Sequence, residues 1–373
     1  MNKKKILYVA SLDTHLTSFH LPYINWFKEQ GYEVHLAYKG PRIIPNVDKI
    51  WKISFERSPF RKSNISIFKE LKRIIDTNNF ELIHCHTPTV GVISRLAAAS
   101  TRKNGTKVLY TSHGFMFFKG APLKNWLIFL PIQWLLSKFA DGIITVNKED
   151  YNNIHQKNFP VKGRHKINSI GIDSKRININ DFPDKEIIRH KLGYKKDDII
   201  ILYIAEFNPG KRHEFVLNVF EDLIKLYPNL RLQFAGSGLL MEIIQKRVKK
   251  LKLEDNISFL GFTKDIAKYI KISDIGISAR NREGFGLGVA EINMNGIPLV
   301  ISNIRGHNEI VEEGKNGFLF EVDNKEQFIK KISLLIKDKG LRNEMGERGK
   351  EIMKKFQIEN TLKEMKTIYK KYI

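Results

Sequence analysis

The sequence predicts an α/β fold made of two doubly wound parallel-sheet domains, and three observations support this. The chain has 373 residues, which is long enough for two domains, and 42% of them are hydrophobic. Short apolar runs alternate with segments of helical spacing, a pattern typical of parallel βαβ units. The alternation begins again near residue 199, so each half of the chain can form its own sheet.

The first half supplies strands and helices from its beginning. Apolar runs that suit buried parallel strands cover residues 6–10, 32–38, 82–86, 107–112 and 142–146. Amphipathic or small-residue spacing predicts helices at residues 20–30, 65–78 and 90–100. Residues 126–139 are strongly apolar and flanked by lysines. They fit either a core helix or an irregular segment at a lipid surface, and Pro122 and Pro131 favour the irregular segment.

The second half repeats the pattern. Strands are predicted at residues 199–205, 231–235, 257–260, 274–278 and 298–302, and helices at 214–227, 240–251 and 288–295. A hinge is expected near residues 168–173. We therefore expect a first domain at 1–172, a second at 173–350, and a terminal helical segment at 351–373 that packs back on the first domain.

Charge and composition limit the partners and the class of protein. The net charge is +23, and residues 1–172 hold 26 basic against 11 acidic side chains, whereas residues 173–373 hold 37 against 29. Such an excess suits nucleic acid, an anionic membrane surface or phosphate-bearing substrates. Cys85 is the single cysteine, which excludes a disulfide framework. No secretory signal and no membrane-spanning helix are expected, because the apolar stretches are too short.

Polar residues at strand ends are the candidates for a site in the first domain. The loop of residues 11–15 lacks a GxGxxG motif, which argues against dinucleotide binding, but Thr14 and His15 could bind a polyol. His86 ends a strand and shares a face with His84, yet no third ligand is near in sequence, so no metal site is expected. His113 precedes a glycine and suits either a ligand contact or a structural role.

In the second domain, cations and glycines follow the strands. Lys211 and Arg212 come just before a predicted helix, where two cations and free backbone N–H groups suit a diphosphate. Gly238 lies in a glycine-rich strand-end loop that a ligand could approach closely. For Lys211 and Arg212, the alternative is a solvated charge pair.

The strongest pattern is EGFGLGVAE, from Glu283 to Glu291. Its glycines allow the backbone to close on a ligand, and the start of the helix offers N–H groups to an anion. Glu291 can accept hydrogen bonds from a vicinal diol such as ribose, whereas Glu283 lies nearer the phosphate. A carboxylate beside phosphates is unfavourable unless it binds hydroxyl groups. The pattern therefore indicates a nucleotide that carries a sugar.

These motifs resemble a known family. EGFGLGVAE, NGIPLVIS, IRGHNEIVEEGKNGFLF and NSIGID are similar to retaining family 4 glycosyltransferases of the GT-B fold, which has two facing Rossmann-like domains. In the first half, DTHLTSFHLPYINWFKEQGYEVHLA, IHCHTPTVGVISRLAA and YTSHGFMFFKGAPLKNW resemble bacterial capsular and exopolysaccharide glycosyltransferases. That group includes N-acetylgalactosaminyltransferases that act on sugars linked to undecaprenyl diphosphate.

The resemblance implies a role for each matching residue. His113, Lys211 and Glu283 would be catalytic. The donor would be bound by Arg212, Gly238, Phe262, Thr263, Gly284, Phe285, Gly286, Leu287 and Glu291, and the acceptor by Thr14, His15 and His86. Glu291 would hold the ribose, and Lys211 would neutralise the leaving diphosphate. One departure is Glu206, which stands where many members of the family have arginine.

The resemblance implies a retaining transfer of a hexose or N-acetylhexosamine from a UDP-sugar to a sugar linked to a lipid diphosphate. No metal or other cofactor is expected, and the protein would be cytoplasmic and peripheral on the inner face of the cell membrane. A nucleotide-sugar epimerase of the same two-domain shape is an alternative. A nucleic-acid-binding protein is disfavoured because the basic residues are dispersed along the chain.

Overall fold

A computed structural model describes residues 3–56 and 58–373 as two compact units. The first unit runs to Gly171 and also includes Ile358–Ile373, and the second unit is Ile172–Gln357. The chain thus returns to the first unit later than the expected position 351. Met1 and Asn2, at the start of the expected first domain, lie outside the described residues, as does Arg57.

The first unit contains a seven-stranded parallel sheet in the order β3-β2-β1-β4-β5-β6-β7. Its strands are β1 (Lys5–Leu12), β2 (Glu33–Lys39), β3 (Lys49–Lys52), β4 (Leu82–His86), β5 (Lys107–Ser112), β6 (Gly142–Thr145) and β7 (Gly163–Lys166). Its helices are α1 (Asp13–Phe19), α2 (Leu21–Glu29), α3 (Asn64–Asn78), α4 (Pro88–Ala97), α5 (Leu123–Ser137), α6 (Lys148–Gln156) and α14 (Ile358–Tyr369).

The second unit contains a six-stranded parallel sheet in the order β10-β9-β8-β11-β12-β13. Its strands are β8 (Ile199–Ile204), β9 (Leu230–Ala235), β10 (Ile257–Gly261), β11 (Ile275–Ser278), β12 (Leu299–Ser302) and β13 (Gly317–Phe320). Its helices are α7 (Lys185–Lys191), α8 (His213–Leu226), α9 (Met241–Lys250), α10 (Ile266–Ile272), α11 (Leu287–Met294), α12 (Lys325–Lys337) and α13 (Lys339–Met353). The predicted fold class, with two doubly wound sheets, is confirmed.

The central strands are buried because helices cover both faces of each parallel sheet. In β1, every residue of the apolar run from Ile6 to Ala10 is fully buried. The first helix begins directly after this strand, at Asp13, so Thr14 and His15 lie on α1. The expectation that they lie on an open loop was wrong. The carboxylate of Asp13 is buried and accepts hydrogen bonds from the backbone N–H groups of Thr14 and Arg42, which holds this turn in place.

The helix α14 completes the core of the first unit. The hydroxyl of Tyr369 shares a hydrogen bond of 2.7 Å with the hydroxyl of Tyr8 and one of 2.8 Å with Nδ1 of His84. All three side chains are buried. Tyr369 also packs edge-on against Phe27 of α2. These contacts connect the last described helix to two strands in the middle of the sheet.

The apolar segment after β5 forms one continuous helix, α5, although Pro131 lies inside it. The expected irregular conformation was therefore wrong. One side of α5 packs against the core of the first unit through Trp126, Phe129, Leu130 and Trp134. The other side exposes Leu123, Leu127, Ile128 and Leu135. Both the core and the surface interpretations thus apply to the same helix, on opposite faces. Within the described chain, no helix has the length and apolar character to cross a membrane.

Candidate functional site

A buried cluster of charges lies at the carboxyl end of the second sheet. Lys211 ends the short 3₁₀ turn after β8, and its Nζ lies 3.2 Å from Oε2 of Glu283. Arg280, two residues past the end of β11, forms an ion pair with the same carboxylate oxygen. The second terminal nitrogen of Arg280 donates to the carbonyl of Ile204 at 3.1 Å. Three charged groups from two strand-end loops therefore converge where a parallel sheet binds its ligands.

The electrostatics of this cluster favour its charged form. Burial alone would raise the pKa of Glu283, but the charges of Arg280 and Lys211 outweigh burial and lower it to about 2. Burial, followed by repulsion from Arg280, lowers the pKa of Lys211, whereas Glu283 opposes that shift. With two cations around one carboxylate, the cluster carries an excess positive charge that suits an anionic ligand.

Arg280 was missed by the sequence analysis. Its position just past the end of β11 could have identified it, because Lys211 was identified by the same criterion, a polar residue that follows a strand. Glu206, which replaces the family's arginine, is exposed and accepts a hydrogen bond from the side-chain amide of Asn208 at 3.0 Å. Arg280 thus brings a guanidinium next to Lys211 from a different strand.

Arg212 does not join this cluster. Its backbone is in the left-handed conformation, with φ of 58°, and its guanidinium forms an ion pair with Asp323. The same guanidinium lies 5.3 Å from the centre of the Phe215 ring. It lines a separate cavity of ≈ 540 Å³ between α8 and α9. Lys211 and Arg212 therefore point to different partners, and the donor-binding role of Arg212 stays a prediction.

Glu291 lies on the second turn of α11 and is only 4% exposed. Its carboxylate forms an ion pair with Arg176, whose side chain is half exposed. Burial raises the pKa of Glu291 to about 7, even though the charge of Arg176 acts in the opposite direction. A nearly buried carboxyl group with this pKa can change its ionisation when a ligand displaces Arg176 or binds beside it.

The loop between these two glutamates is closely packed. Gly286 is the N-cap residue just before α11 and has the left-handed conformation, with φ of 104°, which a residue with a side chain rarely adopts. Leu287 is the first residue of the helix. At Gly306, an added Cβ would lie 2.8 Å from backbone atoms of Glu283, Gly284 and Phe285. The Phe285 ring is buried and packs edge-on against Phe356, so this loop presents backbone and not the phenyl ring to a ligand.

The remaining predicted donor residues lie on two other strand-end loops. Gly238 is needed for packing, because a Cβ there would lie 2.6 Å from the carbonyl oxygen of Phe207. After β10, the Phe262 ring is 84% exposed. Next to it, the Thr263 hydroxyl accepts a hydrogen bond from the backbone N–H of Asp265 at 3.1 Å. An exposed ring beside a strand end is a surface on which a base can stack.

In the first unit, the structure brings His15, His86 and His113 together with His20, which the sequence analysis did not select. The ring centres of His15 and His113 are 4.7 Å apart, and those of His20 and His86 are 4.0 Å apart. His84 points to other partners, since Nδ1 bonds Tyr369 and Nε2 bonds the hydroxyl of Thr111 at 2.8 Å. His20 could have been selected from the sequence, because it begins a predicted helix five residues after His15.

The family resemblance implies acceptor binding for Thr14, His15 and His86 and a catalytic role for His113. These roles stay predictions. What the structure adds is that three of these residues form one cluster at the carboxyl ends of β1, β4 and β5. That edge of the sheet is where parallel α/β domains bind ligands.

Two doubly wound parallel sheets, with an acidic glycine-rich loop that opens a helix in the second, define the class of GT-B glycosyltransferases. The chain belongs to the GT4-like family of bacterial glycosyltransferases. The family model described as "Glycosyl transferases group 1" matches residues 184–352, and "Glycosyl transferase 4-like" matches residues 5–147. The protein named "Putative glycosyltransferase EpsD" of Bacillus subtilis is 38% identical over 370 residues, which cover 99% of this chain and 97% of that protein.

Another relative is the Escherichia coli protein named UDP-Gal:alpha-D-GlcNAc-diphosphoundecaprenol alpha-1,3-galactosyltransferase. It is 26% identical over 314 residues, which cover 83% of this chain and 79% of that protein. Among solved structures, Anabaena HepE in complex with UDP and glucose is similar with a TM-score of 0.77 at 17% identity, covering 98% and 99% of the two chains. A glycosyltransferase from Rickettsia africae has a TM-score of 0.79 at 20% identity, covering 100% and 99%. The family resemblance and the GT-B fold predicted from the sequence are confirmed.

Proposed function

We propose that this glycosyltransferase moves a hexose or N-acetylhexosamine, with retention, from a UDP-sugar to a sugar linked to a lipid diphosphate. The observation that carries the proposal is the cluster of Lys211 and Arg280 around Glu283, on the same unit as the buried Glu291. Support comes from HepE, whose structure holds UDP and glucose, and from the E. coli relative, whose name gives a diphosphoundecaprenol acceptor.

The cations of the cluster would act on the leaving group. Cleavage of the bond between the anomeric carbon and the diphosphate places negative charge on the departing phosphate. Lys211 and Arg280 are held in place before the reaction by Glu283, so they can stabilise that charge without reorganisation. We propose that no metal ion is needed at the diphosphate, because these two cations supply the positive charge.

Retention can proceed by attack on the same face. Among the residues that the structure describes, no arrangement requires a covalent nucleophile, and the departing phosphate can accept the proton of the acceptor hydroxyl. The new glycosidic bond then forms as the bond to the diphosphate breaks. Glu283, with a pKa lowered to about 2, stays ionised and suits the binding of sugar hydroxyls rather than proton donation.

The nucleoside part of the donor would be bound by Glu291 and the loop after β10. An ionised Glu291 accepts two hydrogen bonds from the ribose hydroxyls, and the exposed Phe262 ring offers a surface for the base. An epimerase would bind the same nucleotide sugar, so product analysis must distinguish the two activities.

We expect the purified protein to release UDP slowly from one or a few UDP-sugars, because glycosyltransferases of this kind transfer to water at a low rate. Incubation with a panel of UDP-hexoses and UDP-N-acetylhexosamines, followed by mass spectrometry, measures this release. An epimerase would instead form a new UDP-sugar without UDP. Adding a polyprenyl-diphosphate-linked sugar should increase release from the same donor and yield an extended lipid. No release with any donor or acceptor would contradict the proposal.

We also propose that the protein docks on the inner face of the cell membrane through α5. The exposed face of this helix carries Leu123, Leu127, Ile128 and Leu135, with Lys124 and Lys138 exposed beside them. An apolar stripe between cations suits an anionic bilayer surface. Such docking would bring the enzyme to a lipid-linked acceptor.

The combined substitution Leu127→Ser, Ile128→Ser and Leu135→Ser is expected to weaken binding to anionic vesicles at least tenfold, since three exposed apolar side chains are lost. Vesicle sedimentation measures the change, and UDP release without acceptor should stay near wild type. Leu226→Ser with Leu239→Ser, two exposed leucines in the second unit, is the matched control. Trp126, Phe129 and Trp134 are unsuitable targets because they pack against the core. Equal vesicle binding by the variant and the wild type would contradict docking through α5.

A further inference from the structure

Four histidines of the first unit form a cluster, and substrate contacts predicted for His15, His86 and His113 do not explain why these three side chains converge with His20. His15 lies on α1, His20 joins α1 to α2, His86 ends β4, and His113 follows β5. One ring nitrogen from each lies within 4.8 Å of the others. The fold thus brings imidazoles from four positions, spread over about a hundred residues of sequence, to one point.

Each of these four histidines has at least one buried ring nitrogen with no hydrogen-bond partner in the described part of the chain. These nitrogens are Nε2 of His15 and His113, and both ring nitrogens of His20 and His86. A buried polar atom without a partner costs about 1–3 kcal/mol. A ligand at the centre of the cluster would bind one ring nitrogen of each histidine and so remove up to four of these six costs.

The neighbouring His84 shows that the fold can satisfy a buried histidine here. Both of its ring nitrogens have partners at 2.8 Å, although its ring centre is only 4.1 Å from that of His86. Among the described histidines of the first unit, the buried ring nitrogens without a partner therefore belong to the four that converge. A cavity of ≈ 10 Å³, lined in part by His20, His86 and His113, lies beside them, which is enough for one small ion or water molecule.

The protonation of these side chains suits a metal ion. Burial lowers the pKa of His15 to about 4, and it lowers the pKa values of His20, His86 and His113 well below their usual range. Neutral imidazole is the form that binds a transition metal. An anion is disfavoured at the same point, because four neutral rings provide no positive charge.

We propose that His15, His20, His86 and His113 bind one Zn²⁺ ion or a similar divalent transition metal. Four imidazole nitrogens around Zn²⁺, each at about 2.0–2.1 Å, would lie about 3.3 Å apart. The observed spacing of up to 4.8 Å reaches that arrangement through small side-chain rotations. The sequence predicted no metal because His84 and His86 lack a third ligand nearby, and folding supplies ligands from distant positions instead.

The metal would be a positioning element. It would fix the start of α2 and all of α1 to the carboxyl ends of β4 and β5, the edge at which Thr14 also lies. It differs from the diphosphate cluster, which lies in the second unit and has its own cations. The inference does not rest on the proposed transfer, because metal content is measured without substrate.

The test uses the full chain, purified without a polyhistidine tag from zinc-supplemented medium. Inductively coupled plasma mass spectrometry should find about one zinc per chain after extensive desalting. His20→Gln and His86→Gln should each lower this at least fivefold. His213→Phe, which replaces a buried histidine of the second unit that also lacks partners among the described residues, should keep the wild-type content.

A second measurement, on wild-type protein, tests the proposal even if the histidine variants fail to fold. Wild-type protein stripped with a chelator is titrated with Co²⁺, and the intense visible absorption of tetrahedral cobalt should appear and saturate at about one equivalent. The melting temperature should rise when Zn²⁺ is returned. The proposal is overturned if the wild type retains less than about a tenth of an equivalent and gives no cobalt spectrum. It is also overturned if folded His86→Gln protein binds metal as the wild type does.

Discussion

Lys211→Ala is expected to lower the turnover of sugar transfer by roughly 10²–10³-fold, the range for removing one preorganised group that stabilises charge in a transition state. The loss should fall mainly on kcat, because the charge on the departing diphosphate develops during the reaction. The fold should tolerate the change, since Glu283 keeps its ion pair with Arg280 and is not left buried and alone.

Steady-state kinetics and thermal unfolding together measure this result. Lys225→Ala is the matched control, because it removes a lysine from α8 that is two-thirds exposed and pairs with the neighbouring acids Glu221 and Asp222 of the same helix. The control should retain wild-type turnover. Wild-type kcat in the Lys211 variant would remove this lysine from the catalytic machinery. A large fall in melting temperature would show instead that its role is structural.

The second large effect concerns Glu291 and pH. The pKa of this carboxyl is raised to about 7 by burial, so it is mostly protonated below pH 7 in the free protein. Binding of two ribose hydroxyls favours the ionised form. The affinity for a UDP-sugar should therefore fall as the pH decreases through about 7, by up to tenfold per pH unit. Calorimetry between pH 6 and pH 8.5 measures this dependence.

Two variants make the prediction specific. Glu291→Gln should bind the donor at least tenfold more weakly above pH 7.5 and lose the pH dependence, because the amide does not titrate. Arg176→Ala should move the midpoint to higher pH, since the arginine charge lowers the pKa of Glu291 in the wild type. A UDP-sugar is the correct probe, because its diphosphate diester does not titrate in this range. An unchanged pH profile in Glu291→Gln would rule out the ribose contact.

Much of the fold could be predicted because the buried central strands are also apolar runs in the sequence. The apolar runs at β1, β4, β5 and β8 are strands in the structure, with ends that match for β4 and β5 and differ by one or two residues for β1 and β8. The edge strands β3, β7 and β13 were missed, whereas the edge strand β10 was predicted. β7 has the sequence GRHK and is only partly buried, so it carries no apolar run, and β3 has only four residues. Their strand conformation comes from pairing with a neighbour, which local sequence does not encode.

The candidate site was predictable where a motif is contiguous in the chain. Glu283, Gly286 and Glu291 lie within one segment, and the structure places them on a loop and the helix that follows it. Arg280 and His20 were not predicted, because their importance depends on neighbours that are distant in sequence. Arg280 meets Lys211 from another strand, and His20 meets His86 across two elements.

The burial of Tyr369 in the first unit has a consequence for the order of events during synthesis. A ribosome delivers Ile172–Gln357 as one uninterrupted stretch, so the second unit can reach its native core as soon as that stretch has emerged. The first unit begins earlier but must wait for Ile358–Ile373, whose tyrosine fills a fully buried position beside Tyr8. Domains usually fold in the order in which they are made. In this chain the unit that starts first is completed last, and the part of its sheet around Tyr8 and His84 lacks the cover of α14 until the second unit has been made.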